Sequence, residues 1–144
     1  MWQEDFISYV KKLKPEDWKR KVNNNWTVKD VVAHMVGWEK GDCKIIRDTW
    51  KTKKLPWFYK TEDFDAFNKK STSYYKSYSS KKLIVEWEKW RQNVKKEIQT
   101  IGKSKLQSRQ DLFRWLFEDE NKRRKKPTHY EHHYAQIKKV CDKS

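Results

Sequence analysis

The stretch Trp26-Thr27-Val28-Lys29-Asp30-Val31-Val32-Ala33-His34-Met35-Val36-Gly37-Trp38-Glu39 decides the fold. Thr27 reads as a helix N-cap, with Asp30 three residues on as a weaker capping-box partner than Glu would be. Val28, Val31, Val32 and Met35, continued by Ile45 and Ile46, mark the buried side of a long helix. His34 falls on the stripe Val31, His34, Trp38, Ile45 and is expected to point inward. Gly37 in mid-helix costs stability relative to Ala, so it either admits a close neighbour or ligand or is simply tolerated.

The helical period recurs outward from this segment. Residues 2–13 carry Trp2, Phe6, Tyr9, Val10 and Leu13 at helical spacing. Pro15-Glu16-Asp17-Trp18 suits a short helical segment, and Asn23-Asn24-Asn25 a loop. Residues 51–60, with Pro56, read as a crossover loop. Thr61 is placed to cap a third helix carrying Phe64, Phe67, Tyr74 and Tyr75, which residues 77–80 end. Ser79 or Ser80 caps a fourth helix with the stripe Ile84, Trp87, Val94, Ile98 and Ile101, and Gly102 fits its C′ position. A short helical stretch is expected around Leu112, Phe113, Trp115, Leu116 and Phe117, and a last helix over residues 128–140.

Totals agree with a single all-α domain over residues 1–144. Three Gly and three Pro are too few for a turn-rich all-β fold. Hydrophobic residues make up 35%, a modest share that nine Trp, seven Tyr and six Phe offset with large buried areas. The net charge of +15 is dispersed and mostly Lys, which fits a solvated helical surface better than a dedicated phosphate site. Lys122-Arg123-Arg124-Lys125-Lys126 is the one concentrated basic run, either a solvated linker or a contact for nucleic acid or another anionic partner. Cys43 and Cys141 match neither zinc-finger nor redox spacing and are expected as free buried thiols of a reducing compartment. No secretory leader or membrane-spanning run is visible, and a cytoplasmic location with no membrane partner is expected.

Chemistry concentrates in Pro127-Thr128-His129-Tyr130-Glu131-His132-His133-Tyr134-Ala135-Gln136-Ile137, which holds three of the four histidines. Thr128 and Glu131 form a capping-box pattern, so His129 and His133 share one helical face at i and i+4. With inward His34 they would make a three-nitrogen site for a divalent metal, open at one or more positions as catalytic sites are. Neutral imidazole suits Zn, Ni, Fe or Cu alike. Other arrangements stay open: His132 in place of His129 or His133, His34 as a hydrogen-bonded core residue, and exposed histidines at the helix start.

Two of these stretches and a third carry a family resemblance. Trp26 to Glu39 resembles the W-[ST]-V-x-[DE]-V-L-x-H-L signature of the DinB/YfiT-like superfamily. His129-x-x-His132-His133-x-x-Gln136-Ile137 is similar to its C-terminal H-x-x-H-H-x-x-Q-[IL] pattern, and Phe64-Asp65-Ala66-Phe67-Asn68 to its F-N segment. Their order and separation match across nearly the whole chain. The resemblance implies a four-helix bundle of up-down-down-up topology with short extra helices. It implies one divalent ion (Zn, Ni, Fe or Mn) held by His34, His129 and His133. Superfamily members include metal-dependent thiol S-transferases, a maleylpyruvate isomerase and, on the ClbS/DfsB branch, self-protection proteins. Tyr134 and Ala135 depart from the Arg and Gly common at those positions.

The functional expectation is a metalloenzyme of hydrolase or transferase type, activating water or a low-molecular-weight thiol against a small electrophilic substrate. Glu39, Tyr130 and Tyr134 are the proposed proton handlers. A homodimer is included among the expected partners. The alternatives are a basic nucleic-acid or anionic-partner binder and a self-protection or sequestering bundle without turnover.

Overall fold

The computed structural model describes residues 2–51, 64–102, 105 and 129–142. Among them are five α-helices: α1 (Trp2–Lys11), α2 (Val28–Lys51), α3 (Phe64–Tyr74), α4 (Ser80–Ile101) and α5 (His129–Cys141). A 3-10 turn (Asp17–Lys19) follows α1, and the described residues hold no named strand, so they are all-helical, as composition led to expect. Lys51, expected to open the crossover, still belongs to α2, while residues 52–60, the stretch at 112–117 and the basic run at 122–126 lie outside the described residues.

Helix α2 is the axis of the molecule; α3, α4, α5 and the 3-10 turn all pack on it, while α1 packs on α4. The predicted capping box starts it. Thr27 N–H donates to Asp30 Oδ2 at 2.9 Å, and Asp30 N–H donates back to Thr27 Oγ1 at 3.2 Å. Central position explains why α2 is buried beyond the expected stripe: Val31, Val32, Ala33, His34, Met35 and Val36 form one unbroken buried run. Such a helix has no polar face left to solvent over that run.

At Gly37, α2 approaches Ser71 of α3 closely. A Cβ built there would stand 2.5 Å from the Cβ of Ser71, inside any normal contact distance. Of the two readings of this glycine, close admission of a neighbouring element is the one the packing supports.

Helix α4 starts where expected, with Ser79 Oγ accepting from Lys82 N–H at 3.1 Å, and stops at Gly102, whose φ of 90° lies in glycine's territory. Its inner face is Leu83, Trp87, Arg91 and Val94. Ile84, Ile98 and Ile101, expected on the stripe, sit partly buried at its flanks.

The core divides into two layers. One joins Val28, Val31, Val32 and Met35 of α2 with Leu83 and Trp87 of α4, Phe6 and Val10 of α1, and Ile137 of α5. The other joins Cys43 and Ile46 with Val94. Early residues of α2 meet early residues of α4, and late residues meet late ones, so these two helices run in the same direction. Helix α1 runs against α4: Glu4 pairs with Arg91 and Lys95, whereas Lys11 pairs with Glu88. Between the two apolar layers, on both helices, stands a charged residue. Glu39 is fully buried, and its Oε2 lies 3.7 Å from Arg91 Nη1.

Cys43 and Cys141 are both buried thiols not joined in a disulfide, as expected, and burial pushes each above its ordinary pKa. No helix among the described residues is long and apolar enough to cross a membrane.

Candidate metal centre

The wall of the site is set by the turn before α2. Asn23 Oδ1 accepts the N–H groups of Asn25 and Trp26, each at 2.8 Å, closing an Asx turn. Val22 N–H donates to Trp26 C=O, and Val28 N–H donates to Arg20 C=O, each at 2.9 Å, which locks the turn onto the helix start. This delivers the Trp26 indole to 5.1 Å from the His34 ring and, nearly parallel, to 6.4 Å from the His133 ring. Trp38, one helical turn past His34, stands edge-on at 6.4 Å from it. Its indole N–H donates to Asn68 Oδ1 of α3 at 3.1 Å.

Within these walls His34 of α2 and His133 of α5 meet. Their ring centres are 4.9 Å apart with the planes at 74°. Both are buried, at 2% and 9% exposure. Two imidazoles that each give one nitrogen to a shared cation at about 2.0–2.1 Å hold their ring centres roughly 4.5–5.2 Å apart. The observed spacing fits that requirement. It also falls in the edge-to-face range of about 4.5–7 Å for aromatic pairs, so chemistry rather than spacing must separate the two.

The hydrogen bonding of His133 bears on that chemistry. Its Nδ1–H donates to Gln136 Oε1 at 2.9 Å, which leaves Nε2 as the lone-pair nitrogen. A ring held through one nitrogen with the other left basic is the usual arrangement behind a metal ligand. Burial lowers the His133 pKa below its ordinary 6.5, a Gln136 bond partly opposing and neighbouring His132 adding to the fall. The neutral imidazole, the form that binds metals, is therefore favoured.

His129 opens α5 four residues before His133 and so on the same helical face, but its side chain lies outside the described residues, as does that of Tyr130. Among the described residues no group of three His, Cys, Asp or Glu side chains is gathered for a metal. His132 is exposed, its ring 5.1 Å from that of His133. Of the α5 histidines whose side chains are described, His133 is the one that faces His34.

Glu39 and Tyr134 are engaged elsewhere. Five residues past His34 is a rotation of about 140° around the helix, which turns Glu39 away toward Arg91. Tyr134 faces α1, its ring stacked 4.8 Å from Phe6 and 5.5 Å from Tyr9. A shallow groove between α1 and α5, lined by Ser8, Tyr9, Glu131, Tyr134 and Lys138, includes neither His34 nor His133.

Sequence reasoning gave no role to Trp26, Gln136 or Arg91. Trp26 precedes the N-cap, and Gln136 is three residues past His133, so both were within reach of local spacing. Arg91 lies four residues past Trp87 on the core face, where a charge is read as exposed. No protein-family model matches this chain, and no curated protein or solved structure shows significant similarity to it.

Proposed function

We propose that the chain is a metal-dependent enzyme of the DinB-like type, with His34, His129 and His133 as the protein ligands of one divalent ion. The observation that carries this reading is the meeting of two buried imidazoles from distant segments, one of them oriented by Gln136. The shared direction of α2 and α4, with α1 opposed, supports an up-down-down-up bundle. His34 and His133 would supply neutral nitrogen donors, and His129 the third from the same face of α5. A divalent ion bound there would supply Lewis-acid activation of water or of a thiol.

The surrounding residues perform the protein's share. Trp26 and Trp38 wall the His34 imidazole. Gln136 fixes the tautomer of His133. The substrate class is a small electrophile, attacked by water in a hydrolase or by a low-molecular-weight thiol in a transferase. Tyr130, next to His129 on α5, would serve as the proton handler.

The test is elemental analysis of untagged protein alongside His34→Ala, His129→Ala and His133→Ala, with circular dichroism to verify helix content. The reading predicts near-equimolar divalent metal in the parent and a loss of most of it in each variant. Negligible metal in all four proteins, after growth and incubation with Zn, Ni, Fe and Mn salts, would remove the mechanism.

A further inference from the structure

A second surface, formed by α2, α3 and α4 away from the imidazole pair, interleaves aromatic rings with lysines. Tyr74, the last residue of α3, is 55% exposed. Its ring centre lies 6.2 Å from that of Tyr78, and both flank the buried Tyr75 at 4.8 and 4.9 Å. Trp90 of α4 continues the patch. Lys40 Nζ lies 4.5 Å from the centre of Tyr74 and 5.7 Å from that of Trp90, Lys89 Nζ 4.8 Å from Trp90, and Lys82 Nζ 4.3 Å from Tyr78. The ammonium groups thus stand among ring faces instead of at random along the surface.

The rings are anchored from below. Trp90 Nε1–H donates to Glu86 Oε1 at 2.8 Å, and the Tyr75 hydroxyl donates to the same oxygen at 3.5 Å. Glu86 is an acidic group under this patch, and these donors engage its carboxylate. Lys29 Nζ donates to Lys76 C=O at 3.2 Å, adding a further cation beside the segment that carries the tyrosines.

We propose that this face binds single-stranded nucleic acid, with Tyr74 as the exposed stacking platform and Lys40, Lys82 and Lys89 as phosphate contacts. The chemistry is that of strand-binding grooves, in which cations follow the backbone and aromatic faces receive unstacked bases. The chain's net charge of +15 supplies the long-range attraction. A duplex would offer the lysines phosphates but keep its bases from the rings. A lipid surface would call for a broad aliphatic patch, and among the described residues the exposed large hydrophobics are Tyr74 and Val85.

The experiment is fluorescence anisotropy of the full chain with labelled oligo(dT) and oligo(U) of about 20 nucleotides, long enough for one protein footprint. Affinity should fall steeply between about 50 and about 200 mM salt. Tyr74→Ala, an exposed helix-end change, should weaken binding about tenfold, and Tyr74→Phe should keep it, because stacking needs the ring and not the hydroxyl. The triple variant Lys40→Gln, Lys82→Gln, Lys89→Gln should flatten the logarithmic salt slope by about 2. A control triple of exposed lysines outside this face, Lys12→Gln, Lys138→Gln, Lys139→Gln, should change it much less. Four results would each overturn the proposal: no binding at low salt, equal loss in both lysine triples, indifference to Tyr74→Ala, or preference for a duplex or for anionic lipid vesicles over the oligonucleotides.

Discussion

His133 ties burial, tautomer and placement together in one side chain. Its lowered pKa has a definite sign in folding. Between its folded value and the ordinary 6.5, the unfolded chain binds the proton that the folded chain refuses. Stability should therefore be full above 6.5 and decline as pH falls through that value toward the folded pKa. In chelator-treated protein, urea midpoints measured from about pH 8 down to about pH 5 should show this decline, and His133→Phe should reduce it. An unchanged slope in the variant would contradict the assignment. Asp17 titrates in a separate window. Its bond from Arg20 Nε–H at 2.9 Å and another from Lys14 N–H at 3.0 Å hold its carboxyl below the ordinary 3.8. That contribution is present above 3.8 and is lost as pH falls below it, so Asp17→Asn should alter acid unfolding only at the low end. At this scale the sequence was most readable where partners are neighbours. Thr27 with Asp30 and Ser79 with Lys82 are contacts across three residues, set by helix geometry alone. The His34–His133 encounter spans most of the chain, and spacing could show only that each ring was eligible.

Two helix-level devices make separate predictions. The α2–α3 contact depends on the missing Cβ at Gly37, so Gly37→Ala should destabilise the fold by about 1–3 kcal/mol, against the usual gain of Ala over Gly in a helix. Adding Ser71→Gly removes the atoms in the way and should recover part of that loss; a stabilised Gly37→Ala single variant would refute the close approach. The α2–α4 contact instead contains a charge pair between its apolar layers. Arg91→Met leaves the fully buried Glu39 facing a thioether and should cost about 3–5 kcal/mol. The double change Glu39→Leu, Arg91→Met should be far milder, which calorimetric or urea unfolding would reveal. Equal losses in single and double variants would mean that the pair is not coupled. Helix boundaries and caps were legible because they obey local rules. The inner face of α4 was less so: of the expected Ile84, Trp87, Val94, Ile98 and Ile101, packing beside a parallel α2 buries Trp87 and Val94 and adds Leu83 and Arg91. Arg91 is admitted because Glu39 and Glu4 lie within reach of it, a fact about two other helices.

Across the whole molecule, α2 serves two surfaces of different chemistry. Toward α5 it presents His34 in an aromatic enclosure, and toward α3 and α4 it presents Lys40 over exposed rings. All-helical architecture followed from period and composition, since few glycines and prolines and repeated amphipathic runs leave little else. The candidate site was legible as a set of eligible residues, and His34 and His133 are brought together. Glu39 and Tyr134 lie near the histidines in sequence, but rotation about each helix axis sends them to Arg91 and to the aromatic rings of α1. The dispersed lysines hid their arrangement for a similar reason, because the patch of Tyr74, Tyr78 and Trp90 is assembled from α3, α4 and the turn between them. The most direct measurement of the central claim is anomalous X-ray diffraction from crystals of untagged protein, recorded on either side of the absorption edge of its bound metal. The account predicts one strong peak about 2.0–2.1 Å from an imidazole nitrogen of each of His34, His129 and His133. A metal peak bound elsewhere, with the His34 and His133 rings packed edge to face and no ion between them, would contradict it.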